Sequence, residues 1–427
     1  MQTLQIQPLK APVDANITIP GSKSITNRAL IIAALAKGET HLTHALYSDD
    51  TRYMAAALRE LGISVEENEE AETFTIQGTG GQITRANAEL HIGNSGTAAR
   101  FLTAFLGLGY GTYTVDGIDR MRERPIKDLL DGLRPLGVTT HCEGKDNECP
   151  PVIVIGSGIK GGQTAMPGHN SSQYFTAILQ VAPYAQQDVH IQVQGDLVSK
   201  PYIDLTIAVM RDFGIEVTNH DYQSLTVCAG QRYQPRTYEI EPDASNASYF
   251  FAAAALTGGR VKINRLTTHS AQGDIGFVDI LAKMGCQVRK TPDGIEVQGP
   301  KQLTGLNIDM NGMSDVAQTL CAIAPFANSP VTVRNIAHVR IKETDRIAAL
   351  ETEIKKLGIR IETSADGFTV YPTDHIQPAA LDTYDDHRMA MSLSLIGLKI
   401  PGIVINDPAC VNKTFPTYFN VLDSLRK

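Results

Sequence analysis

A motif that starts an apolar helix recurs six times along the chain, and this repetition constrains the fold more than any other feature. Each copy has a small or polar start followed by an apolar helix. The copies begin at Gly21, Gly93, Gly168, Asp243, Gly312 and Asp385. Successive starts lie about 69 to 75 residues apart, a longer period than the roughly 20 to 50 residues of solenoid repeats. The sequence therefore predicts six related α/β units and not a solenoid.

A second helix follows each of these first helices. Its apolar residues recur at i, i+3, i+4 and i+7, the spacing of an amphipathic helix. Most of the second helices end in a hydrophobic residue and a glycine, and a short β-branched strand follows. Each unit is therefore predicted as βαβαββ. The sixth unit lacks the two closing strands, because its second helix, "PTYFNVLDSLRK", is the last segment of the sequence.

The N-terminal segments "TLQIQPL" and "ANITIP" are the strands available to complete the sixth unit. The sequence thus predicts an α/β protein of two similar domains, each built from three βαβαββ units. One domain comprises residues 21–240. The other comprises residues 1–20 together with residues 241–427.

The composition narrows the classes of partner. Hydrophobic residues make up 42% of the chain and charged residues 20%, as in ordinary globular proteins. A formal net charge of -8 disfavours nucleic acid and anionic membranes as partners. The sequence has neither an apolar run of about 18 residues nor a start like that of a signal peptide. We therefore expect a cytoplasmic protein whose local clusters of cations serve a small anionic ligand.

The metal-binding and redox motifs are absent from the sequence. Its six cysteines show no CxxC spacing and are expected to be reduced thiols. The histidines show no HExxH or similar spacing, so no metal site is predicted. The stretch "GSKS" from Gly21 also lacks the glycine spacing of a nucleotide-binding P-loop.

Cations accumulate at the predicted helix starts, where unpaired N–H groups already favour anions. A single such cation is most simply a solvated charge or a capping partner. As a set they indicate a ligand with several anionic groups, because arginine binds carboxylate and phosphate through paired hydrogen bonds. The set comprises Lys23, Arg28, Arg100, Arg124, Lys200, Lys342, Arg346, Arg388 and Lys413.

Neutral and acidic side chains stand at the same helix starts. "GHNSSQYF" offers Ser171, Ser172 and Gln173 as donors, and "GNSGTAARF" contains Asn94 and Gly96; a serine N-cap and a tight turn explain these segments equally well. Asp315 and Glu343 fit either of two roles. They complement a helix dipole, or they are a general base and a general acid tuned by neighbouring cations. The same two roles, cap or site residue, are open to Asp49, Asp50, Asp243, Asp385 and Asp386.

These segments together resemble the 5-enolpyruvylshikimate-3-phosphate (EPSP) synthase family. The resemblance spans residues 19 to 420 in the family's order, through "IPGSKSITNRALIIAAL", "SDDTRYM", "GNSGTAAR", "DGIDRMRERPIKDLLDGLR", "SSQYFTA", "GDLVSKPYID", "IKETDRIAAL", "DDHRMAM" and "KTFPTYF". It implies the enolpyruvyl-transferase fold, an inside-out α/β barrel of two domains that close over the substrates. The implied reaction joins phosphoenolpyruvate (PEP) to the 5-hydroxyl of shikimate 3-phosphate and releases phosphate.

The resemblance also implies residue roles, carried over motif by motif. Asp315 is implied as the base at the 5-hydroxyl and Glu343 as the proton donor to carbon, with Lys23 sharing in proton transfer. The implied PEP ligands are Lys23, Asn94, Gly96, Arg124, Gln173, Arg346, Arg388 and Lys413. The implied ligands of shikimate 3-phosphate are Lys23, Ser24, Arg28, Ser171, Ser172, Gln173, Ser199, Tyr202, Asp315, His338 and Lys342. The family implies no metal or cofactor, and we expect a monomer.

The sequence departs from the family at four positions. Phe101, Ser95 and Ala99 differ in the "GNSGTAARF" loop, and His338 replaces an asparagine. The retained Gly96 suggests a tight pocket that is sensitive to glyphosate.

Three other functions fit this sequence less well. The sister enzyme that acts on UDP-N-acetylglucosamine would share the repeats, but it uses a loop cysteine where this chain has "DRMRERPIK". RNA 3′-phosphate cyclases have repeats of this type but need a basic surface. A non-catalytic phosphate-binding relative is disfavoured by the presence of Lys23, Asp315 and Glu343.

Overall fold

Each predicted repeat forms its own small β-sheet in the computed structural model, which describes residues 2–426. The chain divides into two compact units. We call Gly21–Ile240 the N unit, and Met1–Pro20 with Glu241–Lys427 the C unit.

The C unit begins with two short strands, β1 (Thr3–Gln5) and β2 (Asp14–Ile17). The chain then enters the N unit, which contains three four-stranded sheets. Its helices are α1 (Lys23–Leu35), α2 (Asp49–Glu60), α3 (Gly96–Leu106), α4 (Lys127–Leu133), α5 (Ser172–Val181) and α6 (Lys200–Asp212). Its strands are β3 (Lys37–Thr43), β4 (Ser64–Asn68), β5 (Thr73–Thr79), β6 (Asn87–His91), β7 (Tyr110–Asp116), β8 (Thr139–Cys142), β9 (Val152–Ser157), β10 (Gly162–Pro167), β11 (Val189–Gln194), β12 (Thr218–His220), β13 (Ser224–Val227) and β14 (Thr237–Glu239).

The rest of the C unit repeats this plan. Its helices are α7 (Ala244–Thr257), α8 (Phe277–Lys283), α9 (Ala317–Ile323), α10 (Arg346–Lys356), α11 (His387–Gly397) and α12 (Tyr418–Ser424). Its remaining strands are β15 (Arg260–Asn264), β16 (Gln287–Thr291), β17 (Gly294–Gln298), β18 (Asn307–Asp309), β19 (Val331–Arg334), β20 (Ile361–Thr363), β21 (Phe368–Val370), β22 (Ala380–Leu381) and β23 (Val404–Asn406).

The strand pairing within a sheet follows the predicted βαβαββ order. In the second repeat, β6 pairs parallel with β7 across α3. The last two strands, β8 and β9, form an antiparallel hairpin, and β9 also pairs antiparallel with β7. The same order recurs in β18, β19, β21 and β20 of the fifth repeat. The predicted fold class is therefore confirmed.

The first helix of each repeat is buried on nearly all sides, so its apolar residues surround the whole helix and do not form one stripe. Every residue of α11 is buried, as are those of α3. A side chain caps the start of several first helices, as Ser95 does when it accepts a hydrogen bond from the Ala98 N–H. The second helices, such as α2 and α10, retain an exposed polar face.

The two N-terminal strands do not serve the same sheet, which corrects one prediction. Strand β1 pairs antiparallel with β23 and completes the sixth repeat, as predicted. Strand β2 instead pairs parallel with β15 and is the opening strand of the fourth repeat. The prediction that "ANITIP" also completes the sixth repeat was wrong, because strand partners far apart in sequence are chosen by the packing of the whole unit.

The described chain, residues 2–426, contains no helix that is both long enough and apolar enough to cross a membrane.

Candidate active site

The start of α1 carries the lysine of the "GSKS" stretch. Ser22 precedes the helix as its N-cap, and its side chain accepts from the Ile25 N–H. The Lys23 ammonium then lies 3.5 Å from the carboxylate of Asp50, which is buried at the start of α2. The pair places a cation at the first turn of α1, and the nearby acid holds its position.

Arg28 lies one turn further along α1 and connects several predicted ligands. Its Nη1 donates to the Ser24 carbonyl at 2.8 Å, and its Nη2 donates to the Tyr202 carbonyl at 3.3 Å. Its Nε donates to Thr206 on α6 at 2.9 Å. The guanidinium also lies 5.4 Å from the centre of the Phe101 ring. Burial lowers the pKa of Arg28 to about 10, partly offset by Tyr202, so it remains a cation at neutral pH.

Arg124 lies beside the glycine at the start of α3. Its Nη1 donates to the Asn94 backbone oxygen at 2.9 Å and to the Asn94 side-chain oxygen at 3.1 Å. A methyl group added at Gly96 would lie 2.5 Å from Arg124 Nη2 and 2.9 Å from Arg100 Nη1. Only glycine leaves both guanidinium groups in these positions.

The start of α5 is linked to Arg100 through a shared backbone carbonyl. Ser171 is the N-cap and accepts from the Gln173 N–H at 3.2 Å. The hydroxyl of Tyr174, on the first turn of α5, donates to the Pro125 carbonyl at 2.7 Å. Arg100 Nη2 donates to that carbonyl at 2.8 Å.

The remaining predicted ligands of the N unit lie at the starts of two helices. Ser172 is buried in the first turn of α5. Ser199 caps α6 in a left-handed conformation, with Tyr202 in the first turn of that helix. Most of the predicted ligands of the N unit thus lie at the starts of α1, α3, α5 and α6. The exceptions are Arg28, which lies further along α1, and Arg124, which follows the 3₁₀ turn Met121–Glu123.

Asp315 is the meeting point of three cations in the C unit. Its Oδ1 lies 2.6 Å from Lys342 Nζ and 3.1 Å from Arg346 Nη1. Its Oδ2 accepts from Arg388 Nη2 at 2.9 Å. Asp315 lies in a 3₁₀ segment, Asn311–Val316, ahead of α9 and not within that helix. Its side chain is 16% exposed, so Asp315 is mostly but not completely buried.

Glu343 is the second acid of this cluster and shares Arg346 with the first. Arg346 Nη2 donates to Glu343 Oε2 at 2.9 Å, and Lys413 Nζ lies 3.8 Å from Glu343 Oε1. Arg346 Nε donates to buried Asp386 at 2.8 Å. Glu343 precedes α10, which starts at Arg346 behind the N-cap Asp345. One buried guanidinium therefore binds three carboxylates.

The charges of the cluster displace its pKa values. Burial alone would raise the pKa of Asp315, but Arg388, Lys342 and Arg346 together hold it well below its usual range. Burial also opposes the charge on Arg346, yet Asp386, Glu343 and Asp315 raise its pKa. His338 hydrogen-bonds Ser314 at 2.8 Å through Nε2, and burial, together with Lys342, lowers its pKa to about 3. His338 is therefore neutral at pH 7.

The C unit thus brings together all of its predicted residues: Asp315, His338, Lys342, Glu343, Arg346, Arg388 and Lys413. Sequence reasoning left Asp50 and Asp386 open between caps and site residues, and it missed Ser245 and Asp274. The only sequence signal for Ser245 was that its segment, "DASNASYF", is one of the six helix starts. Asp274 lies in "QGDIG", a composition typical of an ordinary turn, so it gave no signal of a functional role. Among residues 2–426, no group of three or more His, Cys, Asp or Glu side chains is arranged to hold a metal ion.

Two units of three βαβαββ repeats, with cations at their helix starts, are the architecture of the enolpyruvyl transferases. Comparison with known proteins narrows this class. The family model for EPSP synthase (3-phosphoshikimate 1-carboxyvinyltransferase) matches residues 8–422. The 3-phosphoshikimate 1-carboxyvinyltransferases of Trichormus variabilis and Marinomonas sp. are 52% and 46% identical to this chain. The first alignment covers 98% of both chains and the second covers 100% of both.

Comparison with a solved structure indicates the same family. The EPSP synthase of Acinetobacter baumannii superposes with a TM-score of 0.83 at 25% identity, covering 100% of this chain and 98% of that one. The chain belongs to the EPSP synthase family. The family and the enzyme class predicted from the sequence are therefore confirmed.

Proposed function

We propose that this enzyme transfers the enolpyruvyl group of PEP to the 5-hydroxyl of shikimate 3-phosphate and releases phosphate. The observation that carries the proposal is the pairing of Asp315 and Glu343 around Arg346, with Lys342, Arg388 and Lys413 beside them. Two carboxylates supply an acid and a base, and the cations suit substrates that carry phosphates and carboxylates.

The proposed chemistry has two steps. Asp315 takes the proton of the 5-hydroxyl, whose oxygen bonds to C2 of PEP while Glu343 gives a proton to C3. The resulting tetrahedral intermediate then loses phosphate, which carries away the proton that Asp315 removed from the hydroxyl, and the C3 methyl group returns a proton to Glu343. Lys23 shares in proton transfer and, with Arg124 and the other helix-start cations, offsets the charge of the departing phosphate.

Substrate binding would also activate the base. In this structure Asp315 is paired with three cations and its pKa is held low, which makes it a poor proton acceptor. Substrate anions that bind Lys342, Arg346 and Arg388 would draw those charges away from Asp315. The Asp315 pKa then rises toward the working pH, which is the condition for efficient general base catalysis.

The ligand assignments extend the proposal to both units. We assign PEP to Lys23, Asn94, Gly96, Arg124, Gln173, Arg346, Arg388 and Lys413. We assign shikimate 3-phosphate to Lys23, Ser24, Arg28, Ser171, Ser172, Gln173, Ser199, Tyr202, Asp315, His338 and Lys342. The reaction as proposed uses no metal, cofactor, nucleic acid or membrane. The cytoplasmic location and monomeric state remain predictions.

The test is phosphate release from PEP with either shikimate 3-phosphate or UDP-N-acetylglucosamine as the acceptor. Release only with shikimate 3-phosphate supports the proposal, and release only with the UDP-sugar assigns the sister activity. The cysteines argue against that second outcome, because Cys142 and Cys149 are buried and burial raises the pKa of the Cys142 thiol to about 12. Release with neither acceptor would contradict the proposal.

Two variants assign the roles of the carboxylates. We expect Asp315→Asn and Glu343→Gln each to lower kcat by about 100-fold or more, the typical contribution of a positioned acid or base. Glu351→Gln is the matched control, since Glu351 lies on α10 and pairs with Lys355 at 2.6 Å near the surface. Full turnover by Glu343→Gln would remove Glu343 from the mechanism.

A further inference from the structure

Asp274 is a buried acid beside the site that has no part in the proposed chemistry. It lies in the 3₁₀ turn Gly273–Gly276, ahead of α8. Gln272, two residues before Asp274, anchors this turn to the start of α7. Its Oε1 accepts from the Ala244 N–H at 3.0 Å, and its Nε2 donates to the Pro242 carbonyl at 2.8 Å. Asp274 is therefore held rigidly at this position.

A hydrogen-bonded chain leads from Asp274 to the predicted base. The hydroxyl of Ser245, in the first turn of α7, donates to Asp274 Oδ2. Ser245 Oγ in turn lies 3.4 Å from Arg388 Nη2, and the same Nη2 donates to Asp315 Oδ2 at 2.9 Å. One nitrogen of Arg388 is thus shared between Asp315 and the pair formed by Ser245 and Asp274.

The charges around Asp274 leave its protonation sensitive to pH. Burial, then the charge of Asp315 on the Asn311–Val316 segment, raise the Asp274 pKa to about 6. Arg388 on α11 opposes the shift, and Asp243 at the start of α7 adds to it. The hydrogen bond from Ser245 also favours the charged form. The ionisation of Asp274 therefore changes close to neutral pH.

We propose that Asp274, acting through Ser245, is a positioning residue that divides Arg388 between Asp315 and the incoming PEP. This inference rests on the proposed function for the identity of the ligand. An ionised Asp274 holds the Ser245 proton, so the Ser245 lone pair faces Arg388 and draws Nη2 away from Asp315. A protonated Asp274 donates to Ser245 instead, so the Ser245 hydroxyl must turn its own proton away from Asp274 and is a poorer acceptor for Arg388. Arg388 then pairs mainly with Asp315.

The two states predict different activities. With Asp274 ionised, Arg388 is only partly committed to Asp315 and can bind an anionic group of PEP. With Asp274 protonated, the Arg388–Asp315 pair must break before PEP binds. Efficiency toward PEP should therefore fall more in the wild type than in Asp274→Asn as the pH drops through about 6, whereas affinity for shikimate 3-phosphate should change by the same factor in both proteins.

The experiment compares kcat/KM for PEP between pH 5.0 and 8.0 in the wild type, Asp274→Asn and Ser245→Ala. At pH 7.5 we expect both variants to be about 10-fold less efficient, mainly through KM for PEP, with KM for shikimate 3-phosphate within about twofold of wild type. At pH 5.0 we expect the wild type and Asp274→Asn to converge, because about 90% of Asp274 is then protonated. Protonation of PEP itself affects all three proteins equally and cancels in the ratio.

Matched substitutions separate this role from a structural one. Ser245→Thr keeps the hydroxyl and should follow the wild type at every pH. Asp279→Asn removes an acid of the adjacent α8, which is exposed and paired with Lys290, and should also follow the wild type. A constant ratio of Asp274→Asn to wild type across the pH range would overturn the proposal. If Asp274→Asn does not fold, the contrast between Ser245→Ala and Ser245→Thr decides, and equal profiles for those two would overturn it.

A binding measurement keeps this inference separate from the proposed turnover. PEP binding is measured by calorimetry at pH 5.5 and 7.5 with no acceptor present. If PEP binding weakens more at pH 5.5 in the wild type than in Asp274→Asn, the proposed role of the hydrogen bonds from Asp274 through Ser245 to Arg388 is supported, even if shikimate 3-phosphate is not turned over. The same weakening in both proteins contradicts it, whatever the assays of phosphate release show.

Discussion

At the scale of single residues, Arg346 shows that the charged side chains of the C unit are already paired with one another in the absence of substrate. Its guanidinium donates to Asp315, Glu343 and Asp386, and almost none of its surface is exposed. Removing one partner of a buried ion pair leaves an uncompensated charge and costs about 3 to 5 kcal/mol. Arg346 therefore positions Asp315 and Glu343, the two proposed catalytic carboxylates, and is also a proposed ligand of PEP, so a variant at Arg346 would confound the two roles.

Gly96 offers a cleaner test of the PEP assignment. The methyl group of Gly96→Ala would lie 2.5 Å from Arg124 Nη2, so the guanidinium must shift from its bonds to Asn94. We expect KM for PEP to rise about 10- to 100-fold, which corresponds to the loss of roughly one charged hydrogen bond. KM for shikimate 3-phosphate should stay within about threefold, and the unfolding midpoint should barely move. An equal rise in both KM values would place Gly96 outside the PEP subsite.

Asp274 should also affect how the free energy of unfolding depends on pH. Its folded pKa, raised to about 6 chiefly by burial, lies above the value of about 3.9 expected in the unfolded chain. Between these two values the folded state binds more protons, so Asp274 lowers stability as the pH rises from about 4 to 6. Asp274→Asn cannot ionise and should gain roughly 1 to 3 kcal/mol relative to the wild type between pH 4.5 and 7.5. Urea unfolding at both pH values measures this, and a difference independent of pH would contradict it.

At the scale of secondary-structure elements, the caps determine where the site side chains begin. Asp345 is the N-cap of α10, accepting from the Ala348 N–H at 3.1 Å and binding Arg340 Nη1 at 2.7 and 2.9 Å. The helix it caps starts at Arg346. We expect Asp345→Ala to lower the free energy of unfolding by about 1 kcal/mol. Asp345→Asn, which keeps a capping oxygen, should lose less than half of that.

Chemical denaturation of the two Asp345 variants measures the difference. Equal losses would show that the ion pair with Arg340, and not the cap, carries the effect. The activity of both variants should remain within a few-fold of wild type, since Asp345 is not itself a proposed ligand and the ion pairs of Arg346 hold its side chain in place.

The elements also show what the sequence could and could not predict. The buried first helices were predictable, because a polar cap followed by a long apolar run, as at Ser95 and α3, is a local signal. The 3₁₀ segment that carries Asp315 was not, since its residues continue the same helical pattern. The partner of β2 was also hidden, because it depends on a strand about 246 residues away.

The site residues could be predicted from the sequence where they lie close together at the start of one helix. Lys342, Glu343 and Arg346 are close in sequence and remain close in space. The bond from Ser245 to Asp274 joins residues 29 positions apart, and the helix start that contains Ser245 gives no indication of this partner. Contacts of that kind depend on the fold of the whole unit, so the structure was needed to find them.

At the scale of the whole molecule, the chain leaves and re-enters the C unit at residues 20–21 and 240–241. The N unit contains every strand of its three sheets, because β14 pairs with β3 and supplies the opening strand of the first repeat. The C unit needs β1 and β2 from the N-terminus. We propose that each unit is an independent folding domain, with the boundaries predicted from the repeats.

This division predicts which fragments fold. Residues 21–240 should unfold cooperatively on their own. Residues 1–20 joined to residues 241–427 by a two-glycine linker should also fold, because the Pro20 carbonyl accepts from the Asp243 N–H at 3.1 Å and the junction is therefore short. Residues 241–427 alone are the matched control and should lack a cooperative transition, since β15 and β23 then have exposed edges. Circular dichroism with urea unfolding measures all three, and a control fragment as stable as the joined chain would show that β1 and β2 are dispensable.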